Sequence, residues 1–409
     1  MGPLDSDRRP AGALISIGEA FAALDAAQLV TESELCGLDA CLGRKLASDV
    51  SAKLTLPPYD ISAMDGYAVA LSDTEKAGAK LKLIGEAPAG APFEGVLGPG
   101  QAVRIFTGGA IPDGADHILI QEHARKDGDA VIVGKAQTSK RHVRGAGHDF
   151  SKGEKLLSAG AQLGPREISV AAAGDHASLP VHRKPRIAII ANGDELRAPG
   201  DDPNSGHIVS SNPAALSALV RLWGADPLPL GIARDSVASI TALIDKAQDA
   251  DIIVPIGGAS VGDHDHMRNA FKSRGLKIVF EKIAVKPGKP TWFGRLGEQR
   301  VLGLPGNPAS AYVCAHLFLK RLLGVDDNAP ISAILEEPLP TGGDRDAYLR
   351  AECRDLPGGR SVRPINRQDS SFVTPFLTAN CLIHRPPGAA EAQTGDTVPI
   401  VPLTAAMAR

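Results

Sequence analysis

The sequence predicts a multi-domain chain that joins an α/β domain to β-rich modules. Three observations carry this. From Pro185 onward, apolar runs of strand length alternate with helical runs, β, α, β, α, β, α, as in a parallel, doubly wound sheet. From Ser51 to about Gly147 the segments are short, with glycine or proline every few residues, which reads as a β-rich module. The same texture returns from about Val325 to Leu403 and predicts a small separate β domain. A chain of 409 residues exceeds one ordinary core, so two to four domains are expected.

In order along the chain, Ile15, Ala20, Leu24 and Leu29 have helical spacing, and Leu42 and Leu46 suggest a second helical segment. Helical character returns near 151–176. The alternating region then predicts a strand over 186–191 and a helix over 213–223, with Ser211 or Asn212 as its cap and Pro213 in its first turn. A strand over 228–232, a helix over 235–248 and a strand over 252–256 follow. Two more apolar runs, 278–285 and 301–304, look like buried strands. The last helix runs from Asn307 to about Leu323, with Asn307 as N-cap, Pro308 at its first position and Gly324 closing it.

Composition narrows the function classes. Hydrophobic residues make up 43%, enough for packed cores, and aromatics only 4%, so those cores are aliphatic. With 44 basic and 47 acidic side chains the net charge is -3, which argues against a general nucleic-acid binder. Cys36, Cys41, Cys314, Cys353 and Cys381 are scattered and form no CxxC pair, which suits reduced thiols in a cytosol. No apolar run approaches the ~18 residues of a membrane helix. The first residues, MGPLDSDRRPAGA, lack an apolar signal core and read as a loose tail.

The chemistry concentrates in three strand ends. The run at 252–256 opens onto Gly257, Gly258, Ala259, Ser260, Val261 and Gly262 ahead of a helical pattern. Glycines let backbone N–H groups approach a phosphate, and a helix start adds positive potential; a tight turn without ligand has the same spelling. Asp263-His264-Asp265-His266 follows. Asp265 suits Mg²⁺ or the orienting of a water, whereas Asp263 as a plain cap, with both histidines solvated, is the ordinary alternative. Zinc is disfavoured because no cysteine lies near. Lys286 and Lys289 sit in a Lys-Pro-Gly-Lys-Pro corner. Held stiffly, they suit a tetrahedral oxyanion; otherwise they are solvated surface lysines. Asn192-Gly193-Asp194-Glu195 follows a strand of the same sheet and should reach the same edge, with Glu195 a candidate metal or substrate ligand, or with Asn192-Gly193 serving only as a turn. Asp235 is either a helix cap or a ligand, and Ser211 either offers a hydroxyl or only caps. In the β-rich module, Ser62-Ala63-Met64-Asp65-Gly66-Tyr67 fits neither helix nor strand and suggests a loop held for a purpose, or a β-turn at Asp65-Gly66.

Taken together, SAMDGYA, TGGAIPDGAD, NGDEL, GGASVGDHD, KPGKP, LPGNPAS and ANC occur in this order across nearly all of 15–403. This set closely resembles the molybdopterin molybdenumtransferase family, relatives of the C-terminal domain of gephyrin. The resemblance implies a doubly wound α/β molybdopterin-binding domain at 180–325. It also implies a small α/β linker and dimerisation domain at 8–51 and 148–179, a β-rich inserted domain at 52–147, and a C-terminal β-barrel-like domain at 326–409. It implies an elongated cytoplasmic homodimer whose cleft is closed by the neighbouring subunit. The implied reaction takes adenylyl-molybdopterin and molybdate, assisted by Mg²⁺, and releases AMP. Partners implied are the adenylyltransferase of the pathway and a molybdoenzyme, with no nucleic acid and no membrane.

Carried over by motif, Asp65, Thr107, Asp149, Glu195 and Asp265 would be catalytic, and Asp235, Asp265 and Glu195 would hold the metal. Gly257, Gly258, Ser260, Gly262, Lys286, Lys289, Ser211, Asn307, Arg350 and Ser370 would bind substrate, the last two on weaker local matches. The chain departs from the family's arginine-rich R-R-x-G-E-D stretch, with Val143-Arg144-Gly145-Ala146-Gly147-His148-Asp149 in its place. Two rival readings stand beside the transferase: an adenylyltransferase acting on molybdopterin, and a non-catalytic protein that binds or delivers the finished cofactor.

Overall fold

Burial on both faces demands unbroken apolarity, and the strands of the alternating region meet that demand in a six-stranded sheet. The structure, a computed structural model, describes residues 14–257, 266–325 and 330–403. Its strands are β1 (Arg186–Asn192), β2 (Asp226–Ala233), β3 (Ile252–Ile256), β4 (Lys277–Phe280), β5 (Trp292–Leu296) and β6 (Gln299–Gly303), in the spatial order β2-β1-β3-β6-β5-β4. The first four run parallel; β5 and β4 complete the edge antiparallel. The sheet is therefore mixed, where the sequence predicts a parallel one.

Side chains alternate between its faces. Ile187, Ile189, Ile252 and Val254 face one core with Leu216, Val220 and Val313. Ala188, Ile190 and Ile253 face the other with Ile240, Phe271 and Trp292. Helix α1 (Asn212–Leu222) and helix α4 (Pro308–Cys314) thus cover one face, and α2 (Val237–Asp245) and α3 (His266–Ser273) the other. Ser236 caps α2, its hydroxyl accepting from Ser239 N at 3.2 Å, which relieves Asp235 of that task. Asn307 stands at the N-cap of α4 but makes no capping bond with its side chain, and Pro308 follows it. The helical run continues through a wide turn at Ala315–Leu319 to Lys320–Leu322.

The run expected as one strand over 278–285 is broken into β4, Lys282–Ile283 and Val285–Lys286. Polar Glu281 interrupts it and pairs with Arg268 at 3.7 Å. Lys282–Ile283 then pairs with Leu14–Ile15, and Val285–Lys286 with Asp346 and Ala347. Asp346–Leu356 belongs to a closed five-stranded barrel, because it pairs with both Gly359–Pro364 and Cys381–Arg385. Ala351, Cys353, Val362, Ile383 and Ile400 fill it.

Contacts divide the chain into two compact units, one of Met1–Thr31 with Lys184–Arg409, the other of Glu32–Arg183. Helix Ile17–Asp25, with a capping box between Ser16 and Glu19, buries Ile17, Ala20 and Leu24 in the α/β core. The second helical segment expected around Leu42 and Leu46 is absent. Ser33–Gly37 is a strand paired with Ser178–His182, and Leu42 is 65% exposed while Leu46 is fully buried, so the two share no face. The second unit contains a six-stranded sheet between residues 66 and 133. Near 151–176 the helix is confined to Pro165–Ala173.

Candidate functional site

In the α/β unit the carboxyl ends of β1 and β3 and the turn after β6 meet in register. Ala191 lies opposite Ile256, and Ile256 bridges to Leu304. Beyond these ends opens a cavity of about 520 Å³. Asn192, Glu195, Ser211, Asn212, Gly257 and Asn307 line it, with Ser371 from the barrel and Pro290 from the lysine corner. Gly257 has φ +91°, and a Cβ there would stand 2.9 Å from the Asn192 carbonyl oxygen, so only glycine fits. Gly258, Ser260, Gly262 and Asp265 lie outside the described residues.

Asn192, which the sequence offers only as a turn residue beside Gly193, organises this edge. Its buried amide donates to the carbonyls of Ala233 and Arg234 at 3.3 and 3.2 Å, tying β1 to β2. Next to it, Asp194 N donates to the Asp235 carboxylate and Asp235 N to the Asp194 carboxylate, both at 3.3 Å. Asp235 and the Asp194–Glu195 loop are thereby brought together. Glu195 is exposed, with its carboxylate lying over Gly193. Among the described residues no three His, Cys, Asp or Glu gather closely enough to hold a metal unaided.

Lys286 and Lys289 are exposed. Their corner is anchored by the pairing of Lys286 with Ala347 and by Ile283 N donating to the Lys289 carbonyl at 3.0 Å. Asn307 Nδ2 donates to Ser370 Oγ at 2.8 Å, so those two candidates meet. Arg350 is placed otherwise. The residue is 3% exposed, and its guanidinium donates to the carbonyls of Phe372 and Asp369 at 2.8 and 2.9 Å, holding the loop that carries Ser370. Burial lowers its pKa from the usual arginine range.

In the other unit, Gly66 and Ile105 are opposite partners on adjacent antiparallel strands, so Asp65 and Thr107 emerge at one end. Asp65 Oδ1 accepts from Thr107 N at 2.8 Å and from its hydroxyl at 2.9 Å. These donors, the backbone N–H first, hold the Asp65 carboxyl below the ordinary carboxylate range. Asp149 is exposed on a loop whose Ala146 N donates to Asp60 Oδ1 at 2.9 Å. Asp60 is a second organiser that sequence reasoning missed. Its one visible signal was its place in the Pro57-Pro58-Tyr59-Asp60 turn.

A largely parallel sheet with a cavity at the carboxyl ends of its strands, joined to a closed barrel, defines an α/β protein of the class that binds ligands at such strand ends. The comparisons make this particular. Residues 15–174 match the MoeA N-terminal region (domain I and II), 188–324 the probable molybdopterin binding domain, and 332–403 the MoeA C-terminal region (domain IV). A molybdopterin molybdenumtransferase of Nostoc sp. is 38% identical over 300 residues, covering 71% of this chain and 69% of the relative. One of Bacillus subtilis is 32% identical over 385 residues, covering 90% of each. The crystal structure of the molybdopterin biosynthesis moea protein from Pyrococcus horikosii superposes with a TM-score of 0.83 at 28% identity, covering 96% of this chain and all of that one. The chain belongs to the MoeA family of molybdopterin molybdenumtransferases.

Proposed function

We propose that this protein inserts molybdenum from molybdate into adenylylated molybdopterin, releasing AMP. The observation that carries the reading is the cavity itself: a hollow at the strand ends, lined by Glu195 from the loop after β1, by Asn307 at the start of α4 and by Pro290, the last residue of the lysine corner. Lys286 and Lys289 would donate to the molybdate oxygens as fixed ammonium charges, and Ser211, Asn307 and Ser370 would orient the pterin phosphate. Asp65 of the β-rich module, kept ionised by Thr107, and Asp149 of the linker segment would be further catalytic acids.

The donors at the β1 and β2 ends are carboxylate oxygens, which match Mg²⁺. That ion is commonly held by one or two carboxylates together with substrate phosphates rather than by an all-protein cage. Glu195 and Asp235, with Asp265, would hold it, and it would supply charge neutralisation at the α-phosphate as AMP departs.

We read the chain as four domains, 8–51 with 148–179, 52–147, 180–325 and 326–409. Separate hydrophobic cores around Leu46 and Leu179, around Val69 and Val131, and inside the barrel support this, whereas the helix Ile17–Asp25 packs on the α/β core and not with the rest of 8–51. Homodimer formation and exchange with the adenylyltransferase and a molybdoenzyme are part of the same reading. A cytoplasmic setting is supported by five free, buried cysteines. Among the described residues no helix is long and apolar enough to cross a membrane.

The test is the Lys286→Ala, Lys289→Ala double variant, assayed for cofactor formation from adenylylated molybdopterin with molybdate varied. A strong rise in the molybdate requirement is expected. Parent behaviour at all molybdate concentrations would remove the lysines from the site.

A further inference from the structure

The lysine corner is exposed on one side, and what sets its position lies beneath it. Cys314, fully buried near the end of α4, sits under the turn. Gly288 has φ +118°, and a Cβ there would stand 2.3 Å from Cys314 Sγ, so the turn rests directly on the sulfur. Thr291, also fully buried, donates its hydroxyl to Cys314 Sγ at 3.4 Å, and its backbone N–H donates to the Gly288 carbonyl at 2.9 Å, closing the turn. The thiol in turn points at the Pro287 carbonyl oxygen, 3.9 Å away. Donor and acceptor capacities of the sulfur are both used, on residues between the two lysines and just beyond the second.

The same helix begins at Asn307 and Pro308, which line the cavity. Seven residues of helix separate Asn307 from Cys314, about 10 Å of rigid rise. One element therefore fixes the cavity wall at one end and the lysine corner at the other. Burial pushes the Cys314 thiol up to about 12, so it remains a neutral S–H, able to donate, at any working pH.

We propose that Cys314 is a positioning residue for molybdate: its thiol holds the Lys286–Lys289 turn at a set distance from the cavity without touching substrate. This rests on the reading that the two lysines bind molybdate. Cys314→Val keeps the volume close but leaves the Thr291 hydroxyl and the Pro287 carbonyl without their partner. Cys314→Ser keeps a donor and an acceptor.

The test uses the full chain, with molybdate varied at saturating adenylylated molybdopterin and then the reverse. For Cys314→Val the molybdate KM should rise about tenfold, with the pterin KM and kcat within about twofold of the parent, since displaced binding groups lose rate or affinity steeply. Cys314→Ser should recover most of the molybdate KM. A parent-like molybdate KM in Cys314→Val, or an equal rise in the pterin KM, overturns the proposal. Should Cys314→Val fail to fold, Thr291→Val removes the hydroxyl from the other side and must raise the molybdate KM by itself; if it does not, the proposal is equally overturned. The lysine double variant separates the two failures. If it raises the molybdate KM while the seat variants do not, only the positioning role is lost. If it does not, the molybdate site itself is misplaced.

Discussion

Replacing Arg350 by methionine separates two roles for one side chain. By family resemblance Arg350 would donate to the oxyanion. In the structure its guanidinium donates to the Phe372 and Asp369 carbonyls, at 2.8 and 2.9 Å, and lies over the Phe376 ring, 5.4 Å from its centroid. Those donors hold the loop in which the Ser370 carbonyl accepts from Ala309 N at 2.9 Å and the Ser370 hydroxyl from Asn307 at 2.8 Å. Each charge-assisted bond is worth roughly 1.5–3 kcal/mol. Phe372 and Asp369 are exposed, so water can take over their carbonyls, and methionine preserves most of the stem's packing. The net loss should fall near the low end of the pair, about 2–3 kcal/mol. In a barrel domain of this size each kcal/mol moves the midpoint by about 4–8 °C, so the barrel transition should fall by roughly 10 °C or more. Scanning calorimetry reads that shift. Steady-state assays should show a raised pterin KM, because Asn307 and Ser371 line the cavity, and an unchanged molybdate KM. An unshifted transition with a raised molybdate KM would refute the structural role and restore Arg350 as an oxyanion ligand.

Thr107→Val removes the hydroxyl that helps keep Asp65 ionised. Because the folded pKa is lowered, the stabilisation is present above the ordinary carboxylate range and is lost as pH falls through the lowered pKa. The variant should move the acid limb of the pH–rate profile, and the Asp65 carboxyl in an NMR titration, to higher pH; an unmoved limb contradicts the assignment. Asp60→Ala frees Ala146 N and should lower kcat about tenfold through misplacement of the Asp149 loop, while Asp60→Asn, which retains an acceptor oxygen, should recover most of it. Equal activity of Asp60→Ala and the parent would show that the loop needs no such tie. Gly303→Ala would put a Cβ 2.0 Å from the Trp292 ring, which is 1% exposed and has nowhere to move. A loss of at least about 1–3 kcal/mol is expected in thermal or urea unfolding, and an unchanged midpoint would mean the β5–β6 contact is looser than described.

The parts of the fold that were legible are those where burial alone decides. Ile252–Ile256 is apolar throughout because both of its faces are covered, and its bounds follow from the run itself. The run at 278–285 is almost as apolar, yet it breaks, because Phe280 is claimed by Phe293, Glu281 by Arg268, and Val285 by the barrel strand at Asp346. None of those partners lies within the run, so no local pattern announces them. The candidate site divides in the same way. Lysines and carboxylates declare a charge by residue type, and their exposure at strand ends leaves that charge available. Cys314, Asn192, Asp60 and Arg350 instead spend their polar atoms largely on backbone groups tens of residues away. Every residue offers a backbone carbonyl and almost every one an N–H, so an acceptor or donor of that kind carries no signature in the sequence. Side chains that meet substrate can thus be guessed from their chemistry, whereas side chains that hold the loops in place become visible only when the chain is folded. The Arg350 and Cys314 variants probe that second group.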